Sequence, residues 1–479
     1  MRGSRGLVVL FCAHVVLKVA LFPLVAHAPL VGDESAYVDG ARALSNVVRD
    51  LGGLGPVDGG ELSRNLVGSG WFMPGMSLLL TPLFVVDPDA SVTAVRAYLG
   101  VASTGLLVLA VLSVRRVLGD VYAAAVLVLP GLVPMWLLFS YCAWGDLCAG
   151  LLALVLVARL VGVLRSLRDH VAPGARDGLS LGALAITVVY LRSSALLLVV
   201  GLGLVTVVLA LLVLRGQERW RLVGALGAAA LVFVTLLLPW SLFASHTLGD
   251  RVVTTTSVPT VMANTFGDRD RVCFGPCDPN SSIWFGPLRY SREVARATGL
   301  SEIEVQRQMS AYARTDVTAH SYARDVVDNL GAYTGEPARF ARFLSPPAGE
   351  PPALERLRDV AVAATDVMFF TMLAVAVGML LAVFRTSFEA QLVSVLTKLG
   401  LGALLTQPFV HISGARYWPS AAPLCALAVG LCLTWLLERR STHSPPPAPA
   451  VLRRALTATV VTARPAWVAV AVGVLALAQ

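Results

Sequence analysis

Along this chain, long unbroken apolar runs are separated by short polar turns. A helix needs about 20 apolar residues to cross a hydrocarbon core roughly 30 Å thick, whereas a membrane barrel would alternate apolar and polar positions. The runs predict spans over 7–31, 91–114, 120–140, 146–164, 178–191, 193–214, 222–245, 357–384, 388–410, 417–437 and 455–478, about eleven helices. Residues 71–86 are apolar but short, and Pro74 and Pro82 interrupt them, so they are expected to re-enter or lie at the interface rather than cross. The fold class that follows is an all-α polytopic membrane protein.

Two polar stretches are long enough to carry structure of their own. After the first span, Tyr37, Ala41, Leu44, Val48 and Leu51 recur at four-three-four-three spacing, which predicts an amphipathic helix lying on a leaflet. Residues 246–356, about 110 of them, are too many for an idle connection. Ser301 and Glu304 form a capping-box pattern there, and Glu302 to about Leu330 is rich in helix formers and free of proline. The chain therefore divides into an N-terminal transmembrane module over 1–245 with a first loop at 32–90, a large loop over 246–356 and C-terminal spans over 357–437. A stiff proline-rich linker over 438–454 and a final helix over 455–479 follow.

Composition agrees with the membrane assignment. Of 479 residues, 56% are hydrophobic and only 14% charged, with a mean hydropathy of +0.73. The net charge of +8 comes almost wholly from arginine, Lys18 and Lys398 being the only lysines. These arginines are scattered among the turns instead of forming one basic patch, so nucleic acid is a poor partner. Their distribution sets the orientation, because short cytoplasmic loops collect them. With 71–86 not crossing, one side holds fifteen short-loop arginines and the other five; a crossing 71–86 would move thirteen of the fifteen to the other face. The N-terminus is expected to be cytoplasmic in a multi-pass plasma (inner) membrane protein. The first run follows Arg2 and Arg5 without a clean small-residue cleavage site, so it reads as a retained span.

That orientation gathers the candidate chemistry on the extracytoplasmic face. Asp33 and Glu34 are adjacent carboxylates at a membrane boundary, where acids are costly unless solvated or used. One reading makes them the cap of the amphipathic helix, the other a general base. Asp146, in Trp144-Gly-Asp146, has the same two readings and falls at the same level. Arg64, Arg192 and Arg416 are cations on that side, suited either to snorkelling toward headgroups or to bidentate recognition of phosphate. His411 reads as a hydrogen-bonded boundary residue or as a ligand or acid. Cys273 and Cys277 lie in a polar loop with no partner set for zinc, leaving a local disulfide or two free thiols.

The ordered series Asp33-Glu34-x-x-Tyr37, Pro74-Gly-Met-Ser-Leu-Leu-Leu, Arg115-Arg116, Asp146, Tyr190-Leu-Arg192, Leu238-Pro-Trp240 and Arg416-Tyr-Trp-Pro419 with Pro423 resembles the GT-C superfamily of integral-membrane glycosyltransferases. These use polyprenyl-phosphate sugars and include protein O-mannosyltransferases and aminoarabinose transferases. The resemblance runs over about residues 7–437. It implies that Asp33 is the catalytic base, Glu34 its acidic neighbour and Asp146 the second acid of the cavity. Some members use a lysine in the first loop for phosphate. This chain has none there, which leaves that role to Arg64, Arg192 or Arg416. Tyr37, His411, Tyr417 and Asn264 are expected to line the substrate cavity. The partners implied are a polyprenyl-phosphate sugar donor, the bilayer and an acceptor that the residues leave open. No cofactor is required, although the acids could take a divalent cation. Two other classes remain, a lipid-linked sugar flippase and a non-catalytic membrane subunit; the chain shows no internal repeat of the kind many transporters carry.

Overall fold

The computed structural model describes residues 2–53, 55–168, 171, 173–213, 216–280, 282–335, 351–381, 388–411 and 417–440. Their regular elements are all helices, with no strand among the described residues. In chain order the helices are α1 (Arg2–Leu21), α2 (Asp33–Gly52), α3 (Gly59–Leu62), α4 (Gly75–Val86), α5 (Val92–Leu118), α6 (Asp120–Val128), α7 (Pro134–Phe139), α8 (Asp146–Arg168) and α9 (Ala175–Leu191). They continue with α10 (Leu196–Val213), α11 (Gly216–Leu248), α12 (Val258–Phe266), α13 (Phe285–Thr298), α14 (Glu302–Ala313), α15 (Ala319–Gly335), α16 (Pro352–Leu381), α17 (Phe388–Leu404) and α18 (Trp418–Arg440). Among the described residues, six stretches are helical, long and apolar enough to cross a membrane: Arg5–Leu24, Val92–Leu118, Asp146–Leu167, Gly216–Leu248, Ala390–Phe409 and Trp418–Leu437. The linker and the span expected at 455–478 lie outside the described residues.

Helix α8 is the axis of the bundle, its spanning segment being 83% buried. Gly150 lets it approach α18 closely, because a Cβ there would meet the Ser420 carbonyl oxygen at 2.5 Å. Helices α9 and α11 touch through a small-residue face in the same way. Carbons added at Gly178 and Gly182 would lie 2.4 Å from the carbonyl oxygens of Ala225 and Ala229, so the i, i+4 glycine pair brings two backbones together.

Two elements differ from expectation. The single span expected at 120–140 is two short helices, α6 and α7, because Pro130 and Pro134 lack the N–H that would continue the ladder. The stretch after Glu302 is also two helices. Ser301 caps α14 by accepting from the Glu304 amide at 3.1 Å, and Thr318 starts α15 by accepting from the Ser321 amide at 3.1 Å, a local bond that competes with helix continuation. The short α4 has the length expected of a segment that does not cross, twelve residues or about 18 Å. In α2, Glu34, Val38, Ala41 and Ser45 form the buried face, while Val48 and Leu51, at 47% and 62% exposure, are left uncovered by protein.

The segment 246–335 folds over one end of the bundle and is tied at both sides. Thr256 donates its amide to Gly70 O at 2.9 Å and its hydroxyl to Ser69 O at 2.6 Å. On the opposite side the Tyr322 hydroxyl donates to Phe409 O at 2.8 Å, and the Trp418 indole N–H donates to Tyr333 O at 2.8 Å. Tyr333 stacks on Trp418 with ring centroids 4.7 Å apart, and burial pushes its hydroxyl above the ordinary tyrosine range. Cys273 and Cys277 are joined by a disulfide, with Cα atoms 5.2 Å apart. Closing so short a loop contributes about 2 kcal/mol. The double Cys273→Ser, Cys277→Ser protein is therefore expected to lose trypsin resistance in this segment at lower urea, with spans α5 and α8 unaffected.

Candidate active site

The site begins at the turn after the first span. Gly32 has φ +59°, a conformation that favours glycine, and it delivers Asp33 and Glu34 into the first turn of α2. The two carboxylates then part company. Glu34 is 1% exposed and is held by Arg96 of α5, which is fully buried and grips it through both terminal nitrogens. Glu34 also accepts from the amides of Val31 at 3.0 Å and Ala143 at 2.7 Å. Arg96 completes its set at the carbonyls of Pro29, at 3.0 Å, and Tyr141, at 3.2 Å. The oxygens of Glu34 are thus engaged in fastening α2 to α5 and to the 141–146 turn. Beside its expected place among the acids of the cavity, Glu34 therefore has a structural part, bracing the start of α2. Asp33, its neighbour in the same turn, is half-buried.

The second acid is brought in by close backbone contact. A Cβ on Gly145 would lie 2.0 Å from Leu191 O, and one on Gly75 would lie 2.4 Å from Tyr190 O. Three backbones therefore converge here: the turn before α8, the start of α4 and the end of α9. The convergence places Asp146, 1% exposed, against the guanidinium of Arg192 in a direct ion pair. Asp146 is turned to this arginine from the first turn of α8. The Arg192 guanidinium lies 4.5 Å from the centre of the Tyr417 ring, a cation–π geometry. Tyr417 contacts His411 Nε2 at 3.1 Å through its hydroxyl, and His411 stacks on Trp284 with centroids 5.0 Å apart. A ladder of five side chains therefore runs from α8 to the folded segment above it. Gly145→Ala is expected to force the turn away from α9, lowering the melting temperature in detergent and separating Asp146 from Arg192. Wild-type melting would disprove the close approach.

The remaining candidates are distributed unevenly. Arg64 is 69% exposed and faces Asp58 at 3.8 Å, so it is a surface pair apart from the ladder. Arg416 lies outside the described residues. Tyr37 packs on Phe72, ring centroids 5.2 Å apart, beside the start of α4. Asn264 is 3% exposed and lies in α12 of the folded segment. Among the described residues no three His, Cys, Asp or Glu side chains gather as a metal site would. The carboxylates brought together fit a divalent cation poorly, because Glu34 and Asp146 already spend oxygens on arginines. The contacts of Arg96 with Glu34 and of Trp284 with His411 are not legible in the sequence. A lone arginine inside the apolar run 91–114 was the one available signal, since a buried charge requires a partner.

No family model matches the chain. No curated protein matches it either. Among solved structures it is similar to the apo oligosaccharyltransferase of Archaeoglobus fulgidus, with a TM-score of 0.46 and 14% identity, covering 97% of this chain and 55% of that one. It is also similar to ArnT from Cupriavidus metallidurans in the apo state, at a TM-score of 0.35 and 15% identity, covering 89% and 78% of the two chains. The same ArnT bound to undecaprenyl phosphate gives a TM-score of 0.34 at 16% identity, covering 88% and 77%. The chain spans about half the length of the oligosaccharyltransferase it matches.

Proposed function

We propose that the chain is an integral-membrane glycosyltransferase of GT-C type, moving a sugar from a polyprenyl-phosphate donor to an acceptor hydroxyl at the extracytoplasmic face. The observation that carries the reading is the convergence, at one end of the bundle, of the Asp33 turn, the Asp146–Arg192 pair and Tyr417 beneath the folded segment 246–335. The arginine asymmetry of the short loops supports placing that end outside the cytoplasm.

Such a donor already carries a good leaving group. The protein must supply a base for the acceptor and a cation for the departing phosphate. In the proposed step the acceptor oxygen attacks the anomeric carbon while Asp33 takes its proton. The bond from that carbon to the phosphate oxygen breaks, and its electron pair stays on the phosphate. This is a single displacement with inversion. Arg192 uses one of its five N–H donors on Asp146 and has others for phosphate oxygens. Arg416, next to Tyr417 in sequence, is the second candidate for that phosphate. Asp146 in this scheme orients Arg192 instead of exchanging protons. Segment 246–356 is the candidate for acceptor selection.

The test is turnover by purified protein in proteoliposomes with a labelled polyprenyl-phosphate sugar and a panel of peptide, glycan and lipid hydroxyl acceptors. Label moving onto an acceptor is expected. Label crossing the bilayer still attached to its lipid would mean a flippase, and neither outcome would mean a non-catalytic subunit.

A further inference from the structure

Helix α1 carries two polar side chains one turn apart that the proposed chemistry does not use. His14 and Lys18 are 2% and 5% exposed and both face the interior of the bundle. Lys18 Nζ donates to the hydroxyls of Ser103 at 2.8 Å and Thr104 at 2.9 Å and lies 5.3 Å from the centre of the Tyr141 ring. All three are neutral partners, so they solvate the ammonium without forming an ion pair with it. His14 Nδ1 lies 2.6 Å from the carbonyl oxygen of Gly131. A carbonyl only accepts, so Nδ1 carries the proton, and in the neutral ring Nε2 is left with a lone pair and nothing to donate. That Nε2 is buried and has no protein partner.

Between the two side chains is a void lined also by Ser103, Gly131, Trp136 and Ser140. The centre of a water-sized sphere can move over ≈ 10 Å³ of it, which is room for one water and little else. We propose that this void is an internal hydration site, in which a single water donates to His14 Nε2 and accepts the third N–H of Lys18. The tautomer selects the ligand. A small anion would satisfy the ammonium but has no proton for Nε2, whereas water offers both a donor and an acceptor. The site backs directly onto the turn that carries Asp146, because the Tyr141 hydroxyl donates to Lys18 O at 2.7 Å and the Ser103 hydroxyl contacts Ser140 O at 3.2 Å. The bound water then completes a polar brace between α1, α5 and that turn, whatever reaction the protein performs.

The test uses the full chain in nanodiscs. With ring-15N histidine, the resonance that disappears in His14→Gln is expected to show a protonated Nδ1 and an unprotonated, hydrogen-bonded Nε2. A density map resolved to about 2.5 Å or better is expected to show one peak within about 3.2 Å of both His14 Nε2 and Lys18 Nζ. His14→Leu is expected to remove that peak. A protonated Nε2, or a void without density in the wild-type map, would each overturn the proposal. The two wild-type measurements keep the test decisive even if a variant fails to fold.

Discussion

The Asp33→Asn protein is expected to lose sugar transfer by about 10²- to 10⁴-fold, the usual range for removing a positioned general base, while binding donor lipid within about two-fold of wild type. The expectation follows from the division of labour at the start of α2. Glu34 is committed to Arg96 and two backbone amides, so the neighbouring acid cannot take over when Asp33 is neutralised. Asparagine keeps the shape and the N-terminal position on α2, but its amide oxygen is far too weak a base to take the proton. The comparison is Asp39→Asn on the same helix, where the side chain is 54% exposed beside Arg42; its turnover should stay within two-fold of wild type. Single-turnover transfer from labelled donor reads both effects. Full activity in Asp33→Asn would remove Asp33 from the mechanism and send the search for a base back to the residues around Tyr417.

The second large effect concerns stability. Glu34→Gln and Arg96→Met are each expected to destabilise the protein by about 3–5 kcal/mol, because each leaves a fully buried charge without its counterpart. The double variant Glu34→Gln, Arg96→Met is expected to cost less than the sum of the two. That shortfall is the signature of a coupled pair. Refolding equilibria in mixed detergent micelles, followed by tryptophan fluorescence, provide the cycle. Additive losses would show that the two side chains do not act on each other. The Glu34→Gln protein should also lose transfer, since Ala143 and Tyr141 are held by the same clamp, but its loss should track the fraction unfolded.

The bundle was largely legible in the sequence because lipid leaves a helix little choice: backbone groups must bond within the segment, so an unbroken apolar run of sufficient length becomes a helix. The failures came where backbone chemistry interrupts that rule, as at Pro130 and Pro134 and at Thr318. The level of Asp33, Asp146 and Arg192 in the bundle could be read from topology, whereas their partners could not. Nothing in the spacing of Asp146 and Arg192 says that they bind each other, or that Glu34 binds Arg96 sixty-two residues away. Such pairings are decided by how closely helices approach, and the glycines that set the approach, Gly75, Gly145 and Gly150, carry no chemical signature of their own. Small-residue faces such as Gly178 with Gly182 carry the same information, but they name no partner until two helices are seen together.

The ladder from Trp284 through His411 and Tyr417 to Arg192 and Asp146 has a thermodynamic consequence. Its upper rung belongs to the folded segment and its lower rungs to the bundle, which gives a ligand that repositions Trp284 a contiguous route to whatever Arg192 holds. Linkage makes that influence mutual and equal in size. An anion held by Arg192 would tighten or loosen binding at the overlying segment by the same factor that an occupant of the segment imposes on that anion. Order of addition would then alter the path to the ternary complex but not its stability.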